Sequence, residues 1–378
     1  MEIKKMNLLA ALLVCMASCS NDDQVGVNAP APDGETALFR IETHAEMGNY
    51  SPATSRGIPL PAIAKENFRI LAFKQSPQSG KFLYEQDVPK ENLSCTNNVL
   101  SGTARLPIGT YKFVPTYGLA AGGGFALPEF TSRNTELANT LNITHNAVDA
   151  SSVFFLGKDP VESLQTYALG LSSSTPNDNV SLSMSRAVSR VDILFLQAKE
   201  ENDVKVEVSD STDVFGASEL AGIDLQFTGL NKNINLSGNK VTNDDGSLFN
   251  SNYSITDLGN AVTKGSSETD TQVGTDGYLT YDNITTDHIK KGSAHVQGVY
   301  VLPFGKVANE TRLNLTLKNK RGDVRNITVP DILPLERNKV TLVKIYVLSG
   351  TVFNTDVEFA VTVDTAWLGA NTVDGEIN

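Results

Sequence analysis

The chain has 378 residues, with 31 Lys or Arg against 43 Asp or Glu and a formal charge of −12. An acidic surface repels phosphate backbones, which argues against nucleic acid as a partner. The length is enough for two domains and an ordinary hydrophobic core. The three cysteines, Cys15, Cys19 and Cys95, do not make a disulfide framework.

Residues 1–18 have the anatomy of an export signal: Lys4 and Lys5, an apolar run over residues 8–17, then small residues before Cys19. The run is too short to span a bilayer. "MASC", ending at Cys19, resembles a lipobox, where the signal is cut and the new terminal cysteine is acylated. Cys15, preceded by bulky Leu13 and Val14, fits that pattern less well. Each buried acyl CH₂ contributes roughly 0.8 kcal/mol, so multiple acylation holds a protein on a membrane without a spanning segment. "SNDD", residues 20–23, resembles the acidic export tag of surface lipoproteins of Gram-negative anaerobes. The expected mature chain is anchored to the outer membrane through acyl chains on Cys19, with residues 19–35 as a flexible tether.

Beyond the tether, short stretches alternate apolar and polar residues with the period of a strand. "ALFRIET" at 37–43, "FRILAFK" at 68–74, "VDILFLQ" at 191–197, "RLNLTLK" at 312–318 and "VEFAVTV" at 357–363 are examples. Gly, Asn and Pro turns separate them, so the predicted fold is all-β, built from antiparallel β-sandwiches. "GLSSSTPNDN", residues 170–179, is small and polar and divides an N-terminal domain, 36–178, from a C-terminal domain, 179–378. A helix is predicted only over residues 135–148, and residues 243–277 read as long loops.

No constellation for catalysis stands out. The histidines at 44, 145, 288 and 295 never take the short spacings of a zinc site. There is no G-x-S-x-G elbow. "GLAAGGGFALP", residues 118–128, lacks the Lys-Ser/Thr of a phosphate loop, and "NDDG", residues 243–246, lacks the ligand spacing of a calcium loop. Isolated carboxylates can be paired only by a fold. No catalytic residue, cofactor or metal ligand is therefore predicted.

The pattern as a whole resembles a fimbrillin, the pilin family of type V pili. "TALFRIETHAE", the loop "PATSRGIP" and the hairpin-like "ENFRILAFKQSPQSGKFLYEQDV" follow the lipobox in that order. "ARLPIGTYKFVPTYG" looks like the family's G-x-Y strand, and "LSMSRAVSRVDILF" is similar to its R-A-x-x-R-hydrophobic strand. "GVYVLPF", "ILPLERNKVTLVKIYVLSG" and the terminal "VEFAVTVDTAWLGAN" complete the match.

The resemblance implies two tandem transthyretin-like β-sandwiches in a lipoprotein precursor. In such pilins an arginine-specific protease cuts the loop after the first strand, here the removable segment 37–56. A strand from the next subunit then fills the gap by β-augmentation, and the head-to-tail contact builds a fibre that supports adhesion. By position, Arg56 and Gly57 match the processing site; Pro52, Pro59 and Pro61 keep that loop out of a ladder. Arg40 is the rival arginine, but lies within a strand-like run. The candidate donor lies in residues 351–378, with Val357, Phe359, Val361 and Val363 on one face and Trp367 beyond; the same run reads equally as the last core strand of its own domain. The partners implied are other pilus subunits, the outer membrane, an arginine-specific protease and host or bacterial surface ligands. Two other roles stay open: an uncleaved, lipid-anchored fimbrial anchor or assembly subunit, and a surface glycan-binding lipoprotein.

Overall fold

In the computed structural model the described residues are 35–46, 64–119, 124–138, 141–150, 154–171, 179–216, 220–236, 247–268, 289–303, 310–337, 339–348, 350–354 and 359–367. The first half contributes β1 (Thr36–Glu46), β2 (Phe68–Gln75), β3 (Phe82–Asp87), β4 (Leu93–Thr96), β5 (Val99–Pro107) and β6 (Gly109–Tyr117). It continues with β7 (Phe125–Ala126), β8 (Asn142–His145), β9 (Phe155–Gly157), β10 (Tyr167–Leu169) and β11 (Asn179–Arg186). The second half holds β12 (Ser189–Glu201), β13 (Val204–Glu207), β14 (Leu220–Asn231), β15 (Asn233–Asn235), β16 (Leu248–Ile255) and the single-turn helix α1 (Leu258–Ala261). β17 (Val262–Lys264), β18 (Ala294–Val301), β19 (Arg312–Asn319), β20 (Val324–Thr328), β21 (Lys339–Val347) and β22 (Phe359–Trp367) follow.

The architecture is all-β, as the alternation predicts. A nine-stranded sheet runs β3-β2-β6-β9-β11-β1-β5-β4, with β10 added on β6. Phe39 of β1 stacks on Phe113 of β6 with ring centroids 5.8 Å apart, although other strands separate β1 from β6 in the sheet. The sheet therefore curls over its own inner face, where Phe39, Ile41, Phe68, Ile70, Leu100 and Val180 form one core cluster. In the second half, the sheet β17-β18-β12-β21-β22 packs on β16-β14-β19-β20 as a sandwich. Ile193, Phe195 and Val343 from one side meet Leu225, Phe227 and Leu315 from the other.

Two ladders are parallel, β1 with β11 and β12 with β21, so these sheets are mixed rather than wholly antiparallel. Parallel neighbours need a long connection, and the chain between each pair supplies one. Residues 135–148 do not form the predicted helix. They hold β8, in which Ile143 is fully buried, because β-branched Ile143 and Thr144 favour a pleat over a helical turn. Residues 243–277 are not all loop either, since β16, α1 and β17 lie among them.

The halves are joined by one nearly continuous run. β11 still belongs to the first sheet, and only Ala187 and Val188 separate it from β12 of the second. Both are fully buried in a third cluster, with Leu71 and Phe73 from the first half and Tyr300 and Leu302 from the second. Arg337 secures this joint: its Nε donates to the Arg186 carbonyl at 2.9 Å, and its Nη2 to the Ser185 hydroxyl at 2.9 Å and carbonyl at 3.2 Å. Burial pushes the Arg337 guanidinium down to about 10.

Just past the joint, Arg190, Asp192 and His295 form a buried cluster, 1%, 0% and 3% exposed. Asp192 accepts from Arg190 Nε at 2.7 Å and Nη2 at 2.9 Å, from the Gly298 amide at 3.0 Å, and meets His295 Nε2 at 2.8 Å. The β12–β18 register breaks between Val191 and Ile193. A Cβ at position 298 would lie 1.5 Å from the Val191 carbonyl oxygen, so this close approach requires glycine. Burial alone would raise the Asp192 carboxyl, but Arg190 and His295 outweigh it and hold it down to about 2. His145 is packed between the rings of Phe125 and Phe249, with centroids at 4.5 and 4.7 Å, and burial pushes its imidazole down to about 4.

Both groups resist protonation more in the folded than in the unfolded chain, so both stabilise at neutral pH and lose that contribution as pH falls. The His145 share, about 3 kcal/mol, goes between about pH 6.5 and 4, and the Asp192 share, about 2 kcal/mol, between about pH 4 and 2. Urea unfolding across this range should show falling stability in two stages, and His145→Gln should flatten the first. Asp192→Asn takes the carboxylate charge from the buried pair with Arg190 and should cost about 3–5 kcal/mol at pH 7.

Candidate functional site

β1 is the feature of the first sheet that its surroundings single out. Its two faces are sharply different: Phe39, Ile41 and Thr43 are 1%, 2% and 0% exposed, whereas Leu38 is 50% exposed and Arg40 and Glu42 face solvent. That is the alternation of "ALFRIET" read as a half-buried strand. β1 pairs antiparallel with β5 over residues 36–44 and parallel with β11 over residues 40–46. It therefore lies between two strands rather than at an edge. Without it, β5 and β11 would each present an open ladder, and the cluster around Phe113 and Leu100 would lose its lid.

Three details tune this seat. Gly102 of β5 is the partner of Ile41, and a Cβ there would lie 2.2 Å from the Asn92 carbonyl oxygen, so the chain entering β4 passes too closely for any other residue. Ala37 and Ala45 keep the ends of the buried face shallow. Thr43 buries its hydroxyl with no hydrogen-bond partner among the described residues, a polar group held in the apolar seat at a cost.

On the outer face a depression of about 490 Å³ crosses β5, β1 and β11, with Arg40, Glu42, Ser101, Thr103, Asn179 and Ser181 among its lining. No aromatic ring lines it, so it offers hydroxyls and charges but no stacking surface for a sugar. The Glu42 carboxylate also meets the His44 imidazole at the surface. Arg40 is held in ladders on both sides, to Thr103 and to Asn179.

At the other end of the chain, β22 lies at the edge of the second sandwich, antiparallel to β21 over its whole length. Phe359, Val361 and Val363 pack against the core of that same sandwich. The Arg325 guanidinium covers the Phe359 ring at 4.9 Å. Trp367 pairs with Lys339 at the end of the ladder. Cys19, Arg56, Gly57 and Val357 lie outside the described residues.

The Asp192–His295 pair has the look of catalytic machinery, but both residues are sealed in the core beside Arg190, where no substrate can reach them. Among the described residues no group of three His, Cys, Asp or Glu side chains could hold a metal ion. No helix among them is long and apolar enough to cross a membrane. Sequence patterns did not reveal Gly102, Thr43 or Arg337 as a set. The only signals were a glycine inside a strand-like run, and the arginines of "SRAVSR" and "LERNK", which meet at the joint.

No curated protein matches the sequence. Among solved structures, a fimbrial assembly protein from Parabacteroides distasonis is similar at 14% identity and a TM-score of 0.39, covering 87% of this chain and 100% of that one. The fimbrial anchor protein Mfa2 from Porphyromonas gingivalis is similar at 9% identity and a TM-score of 0.38, covering 88% of this chain and 98% of that one. The family model described as fimbrillin-A associated anchor proteins Mfa1 and Mfa2 matches residues 65–371, and the chain belongs to that family.

Proposed function

We propose that the protein is a fimbrial subunit of anchor type, tethered to the outer membrane through Cys19 and joined to other fimbrial subunits at the cell surface. The observation that carries this reading is the position of β22. The last described strand closes its own sandwich, with Phe359, Val361 and Val363 on its own core. A subunit whose terminal strand is committed internally suits the end of a fibre, where one face receives a partner and the lipid holds the other. Such a subunit works by mechanical coupling, and no chemical step is assigned to it.

A second reading is favoured by β1. A single strand seated between β5 and β11 is a removable unit, and a chain cut after Arg56 would leave a groove for a donor strand from the next subunit. In that reading the protein is a processed stalk or tip pilin whose β22 leaves its sheet during assembly.

Treating the purified full-length chain with an arginine-specific protease separates the two. The anchor reading expects residues 36–46 to stay with the protein and the chain to remain monomeric on SDS gels without boiling. Trimming after Arg56 with SDS-resistant ladders, both abolished by Arg56→Ala, would replace it with the pilin reading.

Thr43 offers an independent measure of how firmly β1 is held. Thr43→Val removes the buried hydroxyl at nearly constant volume and should stabilise the fold by about 1 kcal/mol. Hydrogen exchange at the β1 amides should slow in the same variant, and an unchanged melting temperature would mean that the hydroxyl costs nothing.

A further inference from the structure

The hairpin between β19 and β20 presents a tripeptide that the fimbrial architecture does not require. The last ladder pair is Lys318 with Val324, and Lys320, Arg321, Gly322 and Asp323 at the tip are all exposed. The Gly322 amide donates to the Asn319 carbonyl at 3.1 Å, and the Asn319 amide to the Asp323 carbonyl at 3.1 Å. Gly322 has φ +92°, so this is a three-residue hairpin loop with glycine where the chain turns back.

Asn319, 3% exposed, holds the loop from beneath. Its Oδ1 accepts from the Arg321 amide at 3.0 Å and the Asp323 amide at 2.8 Å, and its Nδ2 donates to Asp323 Oδ2 at 2.8 Å. The loop backbone is thus fixed by a buried side chain, which lowers the ordering cost of binding. The functional ends remain available. Arg321 and Asp323 are both exposed, and among the described residues neither the Arg321 guanidinium nor Asp323 Oδ1 enters an ion pair or hydrogen bond. Beside them Val324 is 56% exposed, an apolar surface next to a paired plus and minus charge.

We propose that this tip, Arg321-Gly322-Asp323, is a binding site for an animal cell-adhesion receptor. Such a receptor would meet the guanidinium with a carboxylate, in the bidentate geometry arginine favours, and the Asp323 carboxylate with a protein-bound divalent cation. The space around the turn is open, since a Cβ at position 322 would meet nothing within 4 Å, and the φ of +92° there favours glycine. The use of this site in cell attachment rests on the surface location proposed above, but the binding itself does not.

The test uses the purified full-length chain immobilised on a surface and a purified integrin ectodomain that binds linear Arg-Gly-Asp peptides, in buffer with Mn²⁺. Saturable binding is expected, lost on adding EDTA and displaced by soluble Gly-Arg-Gly-Asp-Ser peptide. Arg321→Gln removes a guanidinium that holds nothing among the described residues and should weaken binding at least about tenfold, close to 1.4 kcal/mol. Asp323→Glu should do the same, with its melting temperature compared to the parent because Asn319 contacts that carboxylate. Binding that is absent, or that survives Arg321→Gln or the competing peptide, overturns the proposal. Fibre assembly is scored separately, so failure of the anchor reading with intact receptor binding, or the reverse, is seen directly.

Discussion

The structure depends on the passage of one chain segment from the first sheet into the second. β11 and β12 are separated by two buried residues, Ala187 and Val188, so the sheets cannot hinge independently about a linker. Each of these strands is the parallel partner of a strand far away in sequence: β11 takes β1 from the start of the chain, and β12 takes β21 from near its end. Fixing the joint therefore fixes where β1 and β21 attach. Arg337 reinforces this, because it leaves the segment before β21 to bind the backbone at the end of β11.

Burial explains why the joint tolerates charge only in a closed arrangement. Arg190 and Asp192 lie two apart on β12 among the buried apolar residues Val191, Ile193 and Leu194, and the bulge at Asp192 lets its carboxylate gather Arg190, His295 and the Gly298 amide together. A buried ion pair of this kind contributes little net stability compared with a well-packed apolar substitute, but removing one partner is costly. Its physical effect is to make alternative registers of β12 and β18 expensive, since each would strand a charge in the core.

Much of this was legible from sequence. The two faces of β1 follow from "ALFRIET" alone, because Phe39, Ile41 and Thr43 alternate with Leu38, Arg40 and Glu42. β22 was legible as a strand with Phe359, Val361 and Val363 on one face, while its choice of sheet was not. Local periodicity cannot say which distant strand a segment joins, so neither parallel pairing was visible. The short strand β8 was hidden because "TELANTLNITHNAV" mixes helix formers with the β-branched pair that decides the outcome. Asp192 carried a signal of its own, as a lone acid inside "RVDILFLQ", but its partner His295 comes from β18 and is set by tertiary pairing. The hairpin tip reads from sequence only as a turn with a glycine; the role of Asn319 as its internal brace needs the fold.

The two terminal strands are held in physically different ways, and that difference bears on assembly. β22 has one ladder and one flanking edge, so its backbone could detach by giving up bonds to β21 alone, but doing so would uncover the apolar residues that Phe359, Val361 and Val363 protect. β1 has ladders on both sides, and losing it opens two strand edges at once. Simple fraying can therefore reach β22 but not β1, because an interior strand leaves only when the chain around it is altered or a replacement strand competes for the same seat. The buried hydroxyl of Thr43 weakens the hold on β1, since an apolar side chain at that position would leave no unpaired polar atom in the seat.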